Sequence, residues 1–298
     1  MGGSDTTMMD ASVDAPSPEG ALSGGDSGRE ASSPDAAVDA GSAGWWKPSS
    51  AKPLPFHWQL STVLAVPADV VAGQTVYDID GEKNDAATVA ALHALGPDVK
   101  VICYVNVGAW EDFRPDAAQF PAAVIGSTNG WPGEKWLDAR AQAILLPLMK
   151  ARFVSWCVHK GFDAVEPDNL DAWSNTSGFP LTHDENIAYD VAIAGLVHSL
   201  GLSVGLKNLP AEAPAIEPHF DWALDEQCYE FSECAPYVPS FLANGKAVWE
   251  IEYNAAPNCA DANAKHMNAA LRDLNLVGPK DMGYVYQPCL ADSVTAWP

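Results

Sequence analysis

The sequence predicts an α/β fold, a (β/α)8 TIM barrel preceded by a disordered acidic N-terminal tail, and three observations carry that prediction. From Phe56 onward, short apolar runs alternate with longer helix-like stretches, eight runs in all. The chain has 298 residues, and about 250 of them follow the tail, the usual length of one such barrel. Acids, amides and phenols recur at the C-terminal ends of the runs, where a barrel of this kind keeps its active site.

Residues 1–44 are mostly Ala, Ser, Gly, Asp and Pro, with eight acids against the single base Arg29. Such a segment buries too little apolar surface to offset its ordering entropy. It is expected as a disordered linker or tether, and residues 45–298 as the barrel domain. The formal net charge is −23, and most of it belongs to the barrel. That balance argues against nucleic acid or an anionic membrane as partner and suits a cationic one. The sequence contains no apolar stretch of about 20 residues that could span a membrane. The six cysteines (103, 157, 228, 234, 259 and 289) include no CxxC pair. Cys228 and Cys234 are close enough to close a small loop. Cys103–Cys157 and Cys259–Cys289 are the other plausible pairs, although spacing alone does not fix connectivity. Disulfides would fit an oxidising compartment. The expected location is secreted or tethered to a cell surface, the export signal having been removed.

In order, strands are expected over 57–60, 75–80, 100–107, 162–166, 203–207, 221–225, 247–253 and 282–286, and helices over 86–95, 139–160, 183–200 and 261–274. In the second helix Ile144, Leu145, Leu148, Met149 and Arg152 fall at helical spacing, with Pro147 a potential kink. Gly161 and Gly201 close helices. The stretch 108–136 is rich in Pro, Gly and Trp and reads as an elaborated loop over one barrel face. Residues 228–245, with Pro236 and Pro239, are expected to be irregular. A doubly wound sheet is the alternative, weakened by the missing Gly-rich loop after the first strand.

The run Phe162-Asp163-Ala164-Val165-Glu166-Pro167-Asp168-Asn169-Leu170-Asp171 ends an apolar strand in crowded carboxylates, which repel and are costly to gather without a use. The other strand ends are similarly polar: Gln59, Asp78 and Asp80, Tyr104 and Asn106 with Glu111 beyond, Lys207 and Asn208, Asp225 to Gln227, Glu250 to Tyr253, and Tyr286-Gln287. Alternation along a strand sends some of these outward. Such convergence suits a sugar polymer, whose hydroxyls need donors and acceptors and whose rings stack on aromatics. Trp110, Trp131 and Trp173 are the expected platforms. Glycoside hydrolysis needs two carboxyl groups in different protonation states, and strands four and six flank a barrel cleft. Asp168 and Glu226 are the candidate pair. Glu166 either orients its neighbours or pairs with Lys207 inside the barrel. The scattered histidines form no HExxH, and no GxSxG occurs. No metal or cofactor is expected, with carboxylate-bound calcium or magnesium the minor alternative.

The motifs Tyr77-Asp78-Ile79-Asp80, Ile102-Cys103-Tyr104-Val105-Asn106-Val107-Gly108, Arg114-Pro115-Asp116, Trp136-Leu137-Asp138, Glu166-Pro167-Asp168-Asn169, Gly205-Leu206-Lys207-Asn208, Glu226-Gln227-Cys228 and Glu250-Ile251-Glu252-Tyr253 run in order over residues 56–290. In these the chain resembles glycoside hydrolase family 114, the endo-α-1,4-polygalactosaminidase-like barrels. The resemblance implies an endo-acting hydrolase of α-1,4-linked galactosamine whose catalytic acids are Asp168 and Glu226. Similarity to the α-galactosidase clan makes Asp168 the nucleophile and Glu226 the acid/base, with retention of configuration. The expected substrate contacts are Asp78, Asp80, Tyr104, Asn106, Glu111, Glu166, Asn169, Asp171, Lys207, Asn208, Gln227, Glu252 and Tyr253. The expected partner is a cationic galactosamine-containing polysaccharide, met by a monomer. The alternatives are hydrolysis of another α-linked, acetylated glycan, and a surface polysaccharide-binding protein without turnover.

Overall fold

The structure, a computed structural model, describes residues 44–298, so the tail expected over 1–44 lies outside the described residues except for Gly44. Eight parallel strands follow one another around a curled sheet: β1 (Phe56–Gln59), β2 (Val76–Asp80), β3 (Lys100–Asn106), β4 (Ala164–Asp168), β5 (Ser203–Lys207), β6 (Trp222–Glu226), β7 (Val248–Glu252) and β8 (Asn268–Arg272). A short β9 (Tyr286–Pro288) runs antiparallel to β8. The crossovers carry α1 (Ala86–His93), α2 (Gln142–Arg152), α3 (His183–Ser199), α4 (Ala213–Ile216) and α5 (Cys259–Lys265). Helix α3 starts on a reciprocal cap between Thr182 and Glu185, which satisfies two otherwise free N–H groups. The sheet edges β1 and β8 meet through the Leu54 N–H on Asn268 Oδ1 at 2.7 Å and the Leu60 N–H on the Leu276 carbonyl at 3.1 Å, not through a ladder.

Period-two alternation divides the apolar residues between two cores. Phe56, Trp58, Val76, Ile102, Trp222, Leu224, Trp249 and Ile251 fill the barrel interior. Tyr77, Ile79, Val101, Val105, Val165, Val204 and Leu206 point outward, against the helices. The interior rings need small neighbours: a Cβ on Gly205 would lie 2.3 Å from the Trp222 ring. The inward positions nearer the C-terminal ends are polar instead, and the site is built there.

All three plausible cysteine pairs are joined. Cys103–Cys157 ties β3 to the turn after α2, Cys228–Cys234 closes the loop after β6, and Cys259–Cys289 ties α5 to the end of β9. No helix among the described residues is long and apolar enough to cross a membrane.

Two elements depart from expectation. The eighth parallel strand is Asn268–Arg272, inside the expected helix 261–274, and the expected strand 282–286 is replaced by the antiparallel β9. The Ala-Ala-Leu run favours a helix by propensity, but pairing with β7 overrides it. His266, with φ 63°, ends α5 in the left-handed conformation without the usual Gly or Asn. The expected helix 139–160 is α2 followed by a π-helical turn, Phe153–Val158, and Ile144 is exposed while Leu145, Met149 and Arg152 are buried.

The loop after β3 folds into a small antiparallel sheet of its own, with strands Ala109–Glu111, Ile125–Thr128 and Glu134–Leu137. It stands on the barrel mouth. A Cβ on Gly108, where this excursion leaves β3, would lie 1.6 Å from the Asn169 carbonyl oxygen, so only glycine lets the β3 and β4 ends come together there.

Candidate active site

Parallel register sets the polar strand ends at one level: Asp80 lies beside Tyr104, and Asn106 beside Asp168. The chain turns sharply just after β4, β5 and β6, with Asn169, Asn208, Leu209 and Gln227 all at positive φ. Such backbone is uncommon outside glycine and gathers at functional sites. Above these turns lies an open cleft of about 420 Å³, walled on one side by the small sheet. A smaller apolar cavity between Pro53, Phe56, Met267 and Tyr286 lies away from this chemistry.

Lys207, at the end of β5, is the centre of the arrangement. Its Nζ lies 3.1 Å from Asp168 Oδ1, 3.0 Å from Glu226 Oε2 and 3.0 Å from Glu166 Oε1, and 4.9 Å above the Trp58 ring. Burial opposes its charge, but the Asp168, Glu166 and Glu226 carboxylates outweigh burial and hold its pKa well above the ordinary lysine value. Its ammonium donates a hydrogen bond to Asp168 Oδ1 and is ion-paired with Glu166 and Glu226. Lys207 therefore orders the carboxylates around it and also lines the cleft.

Asp168 and Glu226 come from strands on either side of Lys207. Asp168 Oδ2 accepts from the Tyr104 hydroxyl at 2.8 Å and from Asn169 Nδ2 at 3.1 Å. Glu226 Oε2 accepts from Asn208 Nδ2 at 3.2 Å, and Glu226 Oε1 accepts from the Tyr253 hydroxyl. The Asn208 side chain returns an acceptor to the Glu226 N–H at 2.9 Å, which fixes both turns together. Both carboxylates face the cleft, with side chains 19% and 26% exposed against 3% for Lys207. Because one nitrogen touches an oxygen of each, those two oxygens are no farther apart than the sum of the two contacts.

Other sequence candidates fall into two groups. Asp80, Tyr104, Glu111, Asn169, Asp171, Asn208 and Tyr253 line the cleft. Asp78 and Glu166 lie fully buried one layer below, inside the barrel. Three expected contacts are not among the residues that line the cleft. Asn106 is buried behind the wall, donating to Glu134 Oε2 at 3.1 Å. Gln227 donates to Glu230 at 2.7 Å on the outer loop. Glu252 is on the outer barrel face, where it accepts the Tyr229 and Glu230 N–H groups at 2.9 and 3.1 Å. Alternation explains this last one: with Trp249, Ile251 and Tyr253 inward, Glu250 and Glu252 must point out. Of the three tryptophan platforms, Trp131 lines the cleft and is half exposed. Trp110 donates to the Ala117 carbonyl, and Trp173 packs edge-on to His183.

Sequence reasoning missed Glu134 and Arg114. Glu134 reaches the cleft from the small sheet, with Asn106 and Asn129 amides on Oε2. Burial raises its pKa, the Asn129 hydrogen bond opposes that, and the Asp168 charge adds to it. Arg114 grips Asp80 at 2.9 and 2.8 Å and Glu111 at 2.9 Å. Burial pushes Glu111 up to about 6 despite that contact. Asp171 is likewise raised by burial, against a hydrogen bond from Asn175.

The family model of glycoside-hydrolase family GH114 matches residues 35–294. Among solved structures, Aspergillus fumigatus Ega3 in complex with galactosamine is similar at 29% identity and TM-score 0.70, over 82% of this chain and 98% of that one. The glycoside hydrolase domain of PelA from Pseudomonas aeruginosa shares the fold at 14% identity and TM-score 0.56, over 78% of this chain and 98% of that one. No curated protein matches.

Proposed function

This chain belongs to glycoside hydrolase family GH114, and from that premise we propose that it is a retaining endo-hydrolase of α-1,4-linked galactosamine in a cationic polysaccharide. The observation that carries the reading is the shared Lys207, which brings Asp168 and Glu226 within one ammonium's reach. On the retaining reading, one member of such a pair attacks the anomeric carbon directly and the other serves as acid and then base.

Asp168, held by Lys207, Tyr104 and Asn169, is the nucleophile. As its oxygen bonds to the anomeric carbon, the glycosidic bond breaks and Glu226 gives its proton to the leaving oxygen. Glu226, now a carboxylate, takes a proton from an entering water. The water oxygen bonds to the anomeric carbon and Asp168 departs as a carboxylate. The two displacements at the anomeric carbon together retain its configuration. Trp131 offers a sugar-stacking face, and the galactosamine bound to the Ega3 relative is consistent with an amino sugar here. The acidic charge supports capture of a cationic chain, and the disulfides fit secretion or attachment at a cell surface.

The test is incubation with deacetylated and with acetylated galactosaminogalactan, followed by sizing of the products and NMR of the first-formed anomer. Cleavage of the deacetylated polymer with α products, lost in Asp168→Asn and Glu226→Gln while binding persists, is the expected result. Cleavage only of acetylated polymer would replace the substrate. Binding without cleavage by the intact protein would replace the enzyme with a polysaccharide-binding protein.

A further inference from the structure

Beneath the reacting carboxylates the barrel encloses two more acids that the hydrolysis described above does not use. Asp78 on β2 and Glu166 on β4 are fully buried. Neither Asp78 oxygen has a hydrogen-bond partner, while Glu166 Oε2 accepts from Trp58 Nε1 at 3.1 Å. Lys207 is the cation within salt-bridge distance of Glu166, and Asp78 has none among the described residues. Three carboxyl groups thus touch one ammonium, and the fourth, Asp78, lies buried without a cation of its own.

We propose that Asp78 and Glu166 share a single proton, carried on Asp78, and act as positioning residues that leave half of the Lys207 charge to the Asp168–Glu226 pair. The inference rests on the retaining reading above. Two fully buried neighbouring carboxyl groups with one ammonium in reach do not both ionise, and the one that no donor meets is the acid. Burial, followed by the Glu166 charge, pushes the Asp78 carboxyl well above its ordinary range. The other groups facing the cluster are Trp58 from β1, Tyr104 from β3, Lys207 from β5 and Tyr253 beyond β7. Burial, then the nearby carboxylates, keeps both phenols neutral.

The arrangement has a consequence for turnover. Before attack Asp168 is charged and Glu226 is neutral; in the glycosyl-enzyme Asp168 is an ester and Glu226 is charged. Lys207 touches both, so the pair presents one negative charge to it in either state. The buried pair below presents one as well. An unshared second anion below would draw the ammonium down and leave Glu226 a weaker acid than the step needs.

The test is the pH profile of kcat/KM on deacetylated polymer. Asp78→Asn, a neutral isostere of the protonated acid, is expected to leave the alkaline limb in place. Glu166→Gln removes an anion from Lys207 and is expected to move that limb about one pH unit lower. The double variant should behave like Glu166→Gln. Equal shifts in both single variants would overturn the shared proton, and no shift in either would overturn the division of charge. A merely structural role would lower kcat without moving the limb. Infrared difference spectroscopy between the intact protein and Asp78→Asn at neutral pH supplies a readout independent of turnover. A protonated-carboxyl band lost in the variant is expected, and its absence from the difference overturns the proposal even if the polymer is cleaved. Failure of the intact protein to cleave any polymer would instead sink the retaining reading, leaving the infrared result to stand alone.

Discussion

Asp80 and Arg114 meet side-on at the rim of the cleft, with two N–H···O contacts of 2.9 and 2.8 Å, and the same guanidinium also holds Glu111. Two acids that the sequence offers as receptors for a cationic sugar are therefore already neutralised. Burial opposes the Arg114 charge, but Asp80 and Glu111 more than restore it. Asp168 and Glu226 share Lys207. Glu134 and Asp171 line the same cleft with only amide partners and no cation in salt-bridge contact among the described residues.

Glu134 and Asp171 are thus the cleft charges left for an amino group. Glu134→Gln and Asp171→Asn are each expected to lower kcat/KM on deacetylated polymer about three- to tenfold at low salt and to flatten its ionic-strength dependence. Activity at high salt should differ less. Rates measured from low to high salt check this, and parallel salt curves for variant and intact protein would count against it.

The Tyr104 hydroxyl donates to the Asp168 oxygen that Lys207 does not touch. A neutral donor on a charged acceptor contributes more than an ordinary hydrogen bond. Tyr104→Phe keeps the ring that fills the barrel mouth and removes only that bond. We expect kcat to fall about tenfold or more with KM little changed, because the lost contact orients the attacking oxygen and not the sugar. Steady-state kinetics on one polymer fraction decide it.

Gly108 joins the β3 end to the Asp168 turn: its N–H donates to the Asp168 carbonyl at 3.1 Å, and its own carbonyl accepts from Leu137 at 2.8 Å. With Asn169 O only 1.6 Å from where a Cβ would stand, Gly108→Ala must push the two loops apart. The expected cost is about 2 kcal/mol or more of stability, together with loss of cleavage. A denaturant midpoint equal to that of the intact protein would contradict this.

The place of Asp168 and Glu226 at the cleft is readable because strand ends are legible: an apolar run that stops in Asp168 or Glu226 places those residues at the mouth whatever the loops do. The inward set could be obtained by counting in twos, and Glu252 fails that count, falling on the same face as Glu250. Glu134 was not readable. Its arrival at the cleft depends on pairing of residues 134–137 with 109–111 and 125–128, a non-local event inside a stretch that reads as loop. The true eighth strand was hidden for the opposite reason, since its local composition favours a helix and its pairing with β7 decides.

Glu250 offers a prediction about pH and stability. It lies fully buried on the outer barrel face, neither of its oxygens meets a donor, and Glu252 is its neighbour. Burial and that neighbouring carboxylate push its pKa up to about 10. The folded protein therefore holds a proton that the unfolded chain releases near the ordinary glutamate value. The stability that this proton carries is complete below the unfolded pKa, declines as pH rises, and is gone above about 10. At neutral pH and above, the acid is thus a burden on the fold. Glu250→Gln keeps a neutral donor beside Glu252 without the linked proton, so it should raise the melting temperature by several degrees at pH 8 and leave it nearly unchanged at pH 4. Melting curves of both proteins across that range test the sign. A variant gain that is the same at both ends would mean Glu250 is not the group that holds the proton.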